Sequence, residues 1–101
     1  MIWLTIGSGT GDERLLPPMN ENWPVITSIP TPITVNGSTW KVLVEGIARD
    51  DGTWAGRLAF VNGTTIRTTD QETSQANRDA LVYWASGLEQ VYLEGALSRA
   101  R

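Results

Sequence analysis

The sequence predicts an α+β fold, in which an antiparallel β-meander of four to five strands carries a C-terminal helix, or two helices, packed on one face. Three observations predict it. Turn dipeptides recur along the middle of the chain, the runs between them alternate apolar and polar residues, and an amphipathic stretch with capping residues follows the last run. The turn dipeptides are Asn36-Gly37, Asp51-Gly52 and Asn62-Gly63.

The chain length bounds the domain organisation. A chain of 101 residues is large enough to fold around one core, so we expect a single domain with three parts. These parts are an N-terminal strand and proline-rich strap (residues 1–32), the meander (33–69) and a helical segment (70–101).

The N-terminal part is predicted to be a short strand followed by the strap. Residues 1–6 form an apolar run of strand length. The glycine-rich residues 7–11 after it occur where a phosphate loop would, but the chain then reaches Pro17 and Pro18 before a helix could form, which predicts an ordinary loop. All five prolines lie between residues 17 and 32, so at most an edge strand is expected at 25–29.

The first two turns set the predicted register. A two-residue loop at the first turn pairs Val35 with Ser38 and places Ile33 opposite Trp40. At the second turn we prefer a three-residue loop ending in Gly52 to a two-residue loop, because the longer loop continues the apolar face. It pairs Val44 with Leu58, Val42 with Phe60, Ala48 with Trp54 and Glu45 with Arg57.

The third turn leaves the register open. A two-residue loop aligns Ile66 with Ala59, whereas a three-residue loop or a bulge brings it opposite Phe60. The strand after this turn, residues 64–69, is β-branched and polar, as is typical of an edge strand that stays in contact with water.

The two faces of the predicted meander differ in character. One face carries Trp40, Trp54 and Phe60, and we expect the five tryptophans of the chain to be core anchors. The other face mixes charged and apolar residues, so we expect the strap or a second copy of the chain to cover part of it. The candidate interaction patch on that face consists of Leu43, Ile47 and Val61.

The C-terminal segment is predicted to be helical. A capping box at residues 69–72, or a later N-cap at Ser74, predicts a helix on the apolar face that ends at Gly87. Its apolar stripe consists of Ala76, Ala80, Leu81, Trp84 and Leu88. Residues 88–101 fit either a second helix or a strand, and we favour the helix because several of them are poor strand formers.

Composition excludes several kinds of chemistry. The chain has no cysteine and no histidine, which removes disulfides, thiolate sites, the common transition-metal ligand sets and histidine-based catalysis. The carboxylates have structural explanations, since Asp50 and Asp51 lie in a turn. A serine nucleophile would need Lys41, the single lysine, as its base. We therefore predict no catalytic, cofactor-binding or metal-ligating residue.

Charge and hydropathy bound the partners. The formal net charge is −3 and the eight basic residues are scattered, so nucleic acid is not expected as a partner. No long apolar run and no signal peptide are seen, which predicts a cytoplasmic protein without a membrane partner. These observations favour a small protein-interaction or regulatory module, with a protein partner or a homodimer.

A second hypothesis comes from a different class of protein. A small-ligand binder or enzyme could have its site between the strap and the sheet, lined by Trp3, Trp23 and polar turn residues.

Overall fold

The computed structural model describes residues 22–101, which form five strands and two helices. The predicted strand at residues 1–6, the glycine-rich loop and Trp3 lie outside the described residues. The elements are β1 (Val25–Val35), β2 (Ser38–Ala48), β3 (Trp54–Asn62), β4 (Thr65–Thr68), β5 (Thr73–Gln75), α1 (Arg78–Ser86) and α2 (Gln90–Arg99).

The strands form one antiparallel sheet in the order β1-β2-β3-β4, and β5 also pairs with β3. The two helices follow in sequence and pack on one face, so the predicted α+β meander is confirmed. Strand β5 is not predicted from the sequence. It lies along the same edge of β3 as β4. Between the two strands, the backbone amides of Thr69 and Glu72 donate to carbonyl oxygens of β3.

The first two hairpins have the predicted registers. Val35 pairs with Ser38, and Ile33 lies opposite Trp40 across a turn in which Asn36 and Gly37 have φ of 52° and 81°. Positive φ at both positions is what a type I′ turn requires. In the second hairpin, Arg49 donates its amide to the Thr53 carbonyl at 2.8 Å, which closes the three-residue loop. The pairs Val44–Leu58, Val42–Phe60, Ala48–Trp54 and Glu45–Arg57 are all present.

The third hairpin has neither of the two predicted registers. Asn62 pairs with Thr65 and Val61 with Ile66, so the loop residues are Gly63 and Thr64 rather than Asn62 and Gly63. The side-chain amide of Asn62 donates to the Thr39 carbonyl at 3.2 Å, a contact with β2 that keeps Asn62 in the strand. Ile66 is consequently opposite Val61.

Strand β1 begins at Val25 and is longer than the sequence predicts. It extends through Pro30 and Pro32, which a strand at the edge of the sheet tolerates. The pairing of β1 with β2 has two irregularities, and the second contains both prolines. Ile26 is an extra residue against β2, and residues 30–32 lie opposite Lys41 alone, since Ile29 pairs with Val42 and Ile33 with Trp40.

The core lies between the helices and the face predicted to be apolar. It joins side chains of β1, β2 and β3 to three residues of α2 and to Ala85 of α1. Trp54 is only half-buried. Near it, the side chain of Leu81 packs over Gly46 and Gly56, which pair with each other across β2 and β3. Trp23 and Trp40 are buried, whereas Trp84 is half-buried.

The helix start predicted from the sequence is wrong. Ser74 lies in β5, and the N-cap is Asn77, whose side-chain oxygen accepts from the Ala80 amide at 2.8 Å. Gly87 follows the last residue of α1 as predicted. Residues 90–99 form the second helix that we favoured. Neither helix described in residues 22–101 is long and apolar enough to cross a membrane.

Candidate binding groove

A groove of about 550 Å³ lies between the irregular part of β1 and the turn that joins the two helices. We call it the β1 groove. Its described lining residues are Thr27, Ser28, Ile29, Pro30, Thr31, Pro32, Ile33, Val82, Ala85, Ser86, Leu88, Gln90 and Leu93. Volumes of about 300–1,000 Å³ are typical of sites for small ligands.

Local sequence explains why the sheet and the helices separate here. The extra residues around Pro30 and Pro32 push β1 out of regular pairing, because a proline has no backbone N–H for the ladder. On the other wall, α1 ends at Ser86 and the chain turns at Gly87 before α2 begins. A hollow above the core therefore remains at this corner of the fold.

The floor of the β1 groove is the core itself. Ile33, Ala85 and Leu93 line it and are each at most 3% exposed. Apolar groups that enter the groove would extend the core and leave water, a transfer worth about 25 cal/mol for each Å² buried. The floor thus favours an apolar side chain or ring.

The rim of the β1 groove is polar but uncharged. The Ser86 hydroxyl donates to the Tyr83 carbonyl at 2.6 Å, and the Gln90 amide donates to Glu94 at 2.9 Å. Thr27 and Thr31 on β1 are further polar lining residues. None of the described lining residues is ionisable, so they include no general acid, general base or charged ligand for an anion.

A second hollow, of about 390 Å³, lies beside the same irregular segment and includes residues of the mixed face. Ser28, Ile29, Pro30 and Pro32 line both spaces, and Lys41, Val42 and Leu43 complete the second one. The Lys41 ammonium gives this hollow a positive charge, which the described lining of the β1 groove lacks. The two spaces therefore favour ligands of different charge.

The structure brings only two members of the predicted patch together. Leu43 and Val61 are diagonal neighbours on β2 and β3, because Lys41 pairs with Val61 and Leu43 with Ala59. The Glu45–Arg57 pair lies between Leu43 and Ile47 along the same face. All three patch residues are half-buried. Ile66 pairs with Val61 and is 63% exposed, so it adds an apolar residue that the sequence did not assign to the patch.

Trp23, predicted to line a ligand site, packs against arginines of the mixed face. The guanidinium groups of Arg57 and Arg49 lie 4.5 and 5.1 Å from the centre of its ring, and Arg57 donates to Glu45 at 2.7 Å. Trp23 is 5% exposed, and its buried indole N–H has no hydrogen-bond partner among residues 22–101. These contacts make Trp23 a packing residue, and it does not line either of the two spaces described above.

The turn carboxylate Asp51 has the predicted local role. The hydroxyl and the backbone N–H of Thr53 donate to its Oδ1 at 2.6 and 2.9 Å, and these bonds lower the pKa of Asp51 below its usual value of 3.8. Across residues 22–101, no three carboxylates come together where a metal ion could bind.

Comparison of the chain with protein-family models, with curated proteins and with solved structures finds no match. The feature of the sequence that indicates the β1 groove is the cluster of prolines before residue 33. Its other wall has no such signal, because the lining residues of α1 and α2 lie far along the chain.

Proposed function

We propose that this protein is a small protein-interaction module that docks a segment of a partner protein in the β1 groove. The observation that carries the proposal is a groove whose floor is core and whose described lining is uncharged. Such a surface can bury apolar side chains of a partner, which is the main source of affinity at protein interfaces.

A pair of serine variants tests this proposal. Ser86 lines the β1 groove and Ser98 lies outside it, yet both are exposed helix residues whose hydroxyls donate at 2.6 Å to the carbonyl three residues earlier. Ser86→Trp is designed to occupy the groove, whereas Ser98→Trp adds the same ring elsewhere. The measurement is affinity capture of partner proteins from cell extract by each immobilised variant.

The proposal expects a partner that binds the wild type and Ser98→Trp but is lost with Ser86→Trp. Circular dichroism must first show that both variants are folded. A partner that binds all three proteins equally, or no specific partner at all, would contradict docking in the β1 groove.

A small, uncharged ligand in the same groove is the second candidate, and the volume of about 550 Å³ favours it. A thermal-shift screen against neutral and charged metabolites and nucleotides tests this candidate. A ligand that raises the melting temperature of the wild type and of Ser98→Trp, but not of Ser86→Trp, would support it. If no compound shifts the melting temperature, the small-ligand hypothesis fails.

The patch predicted on the mixed face stays a prediction of self-association. Its support is the 63% exposure of Ile66, which pairs with Val61 beside Leu43. Sedimentation of the wild type and of Ile66→Lys tests it, with a dimer expected only for the wild type. The cytoplasmic location and the absence of nucleic-acid partners likewise stay predictions from the sequence.

A further inference from the structure

We infer that the partner segment is a short, uncharged peptide with aliphatic side chains, held by side-chain insertion rather than by addition of a strand. This inference rests on the proposed function and names the chemistry of its ligand. Its basis is the combination of an uncharged described lining, a segment rich in backbone acceptors and an edge that is unsuited to strand pairing.

Charge decides the class of side chain. A carboxylate or ammonium placed over Ile33, Ala85 and Leu93 would leave water, and the described lining offers no opposite charge to compensate. An aliphatic side chain incurs no such desolvation penalty. Each fully buried leucine-sized group contributes about tenfold or more to affinity.

The hydrogen-bonding groups of the rim favour a peptide over a hydrocarbon chain. Residues 30–32 have three carbonyl oxygens but a single backbone N–H, that of Thr31, since Pro30 and Pro32 have none. Thr27 also lines the groove and pairs with Val44, so its hydroxyl is on the same face of the sheet as the core. A ligand that carries N–H donors next to its apolar groups matches this acceptor-rich wall, and a peptide backbone supplies such donors.

The edge of β1 is poorly suited to accept another strand. Its pairing with β2 is irregular at Ile26 and again at residues 30–32, and prolines interrupt its N–H groups. The Ile26 carbonyl also faces the Arg78 guanidinium, at 3.5 Å. A continuous ladder of backbone hydrogen bonds cannot form along such an edge, so recognition has to come from side chains that enter the groove.

Three synthetic peptides test the inference directly. The probes are Ac-Leu-Thr-Leu-NH2, Ac-Glu-Thr-Glu-NH2 and Ac-Lys-Thr-Lys-NH2, titrated to millimolar concentration into ¹⁵N-labelled full-length protein and followed by ¹H–¹⁵N correlation spectra. We expect the leucine peptide to shift the amides of Ser28, Thr31, Ser86 and Gln90, and to bind at least about tenfold more tightly than either charged peptide. The shifts should vanish in Ser86→Trp and persist in Ser98→Trp.

Other outcomes overturn the inference in distinguishable ways. If the glutamate peptide binds better and shifts Lys41 and Leu43, an acidic ligand in the second hollow is favoured instead. If no peptide binds, or all three bind equally, the uncharged aliphatic ligand is wrong. In either case, a captured partner that is lost only with Ser86→Trp would still support the proposed function. If the leucine peptide does not bind and no such partner is captured, both the inference and the proposed function are wrong.

Discussion

Gly46 and Gly56 lie opposite each other on β2 and β3, and the missing side chains leave the space in which Leu81 of α1 packs. Leu81 is fully buried. A Cβ atom built on Gly46 would lie 2.6 Å from Leu81 Cδ2 and 3.3 Å from Ile26 Cδ1, and one on Gly56 would overlap Leu81 Cδ1. The close approach of α1 to the sheet therefore depends on glycine at both positions.

Gly46→Ala should destabilise the fold by about 1–3 kcal/mol, because the added methyl group meets a packed core residue. The backbone entropy gained by replacing glycine, about 0.4–1 kcal/mol, is smaller and does not compensate. Urea denaturation measures the difference. Gly95→Ala is the matched control: a Cβ atom on this helical glycine would meet only Arg99 Nη1 among the described residues, at 3.6 Å, so the substitution should stabilise the protein. Equal stability of Gly46→Ala and wild type would contradict the proposed steric role.

Thr69→Val should destabilise the protein by about 1–3 kcal/mol, although the two side chains have similar shape. Thr69 is 3% exposed, and its hydroxyl oxygen accepts from the Leu58 amide at 3.1 Å, where the edge strand breaks between β4 and β5. Valine would leave the buried N–H of Leu58 without that acceptor. Thr69→Ser keeps the oxygen and gives up one methyl group, about 0.8 kcal/mol. Thermal and urea unfolding should rank Thr69→Ser above Thr69→Val, and the reverse order would refute the role of the hydroxyl.

The parts of the fold that sequence could predict are those fixed by local chemistry. The register of the first hairpin follows from Asn36 and Gly37, which tolerate positive φ, and that of the second from the three-residue loop that ends in Gly52. Each loop determines which residues share a face. The apolar face and the position of the helices on it follow from these registers.

The parts that could not be predicted depend on contacts between distant residues. Asn62 is followed by glycine, as Asn36 is, but its side-chain amide donates to the Thr39 carbonyl on β2. The third turn is consequently shifted by one residue. Ser74 has a capping sequence, yet it pairs with Ala55 of β3. In both cases a tertiary hydrogen bond overrides a local preference, which single-sequence reasoning cannot weigh.

The β1 groove illustrates the same limit for the candidate site. The prolines of β1 allow at most an edge strand at residues 25–29 from the sequence alone, and the structure has an edge strand there that continues through Pro30 and Pro32. The groove also needs Ala85, Leu88 and Leu93 to lie opposite that strand. Their placement depends on how the two helices cross the sheet, and the helix start itself was predicted too early in the chain.

Glu45→Gln should destabilise the protein by about 1 kcal/mol, because glutamine keeps the acceptor oxygen but a hydrogen bond to a charged group is about twice as strong as a neutral one. The Glu45 and Arg57 side chains are 16% and 14% exposed, and their N–O distance is 2.7 Å. Asp70→Asn is the control, since the Asp70–Arg101 pair has side chains that are 86% and 70% exposed. We expect no measurable change from the control in urea denaturation. A similar effect of both substitutions would show that burial does not strengthen the Glu45–Arg57 pair.

Tyr92 makes the stability of the protein depend on pH in alkaline solution. Its hydroxyl donates to Glu72 Oε1 at 2.5 Å, and Arg99 donates to the same oxygen at 2.6 Å. Burial, together with the neighbouring Glu72 carboxylate, raises the pKa of Tyr92 above its usual value of 10.0. In Tyr83→Phe, where Tyr92 is the one tyrosine left, the absorbance change of tyrosine ionisation should accordingly have its midpoint above pH 10.0.

The sign of the stability change follows from which state binds the proton more tightly. As pH rises past 10.0, the unfolded chain releases the Tyr92 proton first, so the free energy of unfolding falls until the folded protein also ionises. Below that pH this contribution is fully present. Urea denaturation between about pH 9 and 12 should therefore show a steeper loss of stability for the wild type than for Tyr92→Phe, which cannot ionise at this position. Parallel pH profiles for the two proteins would mean that folding does not raise the pKa of Tyr92, and that its bond to Glu72 does not hold the α2 tyrosine in its protonated form.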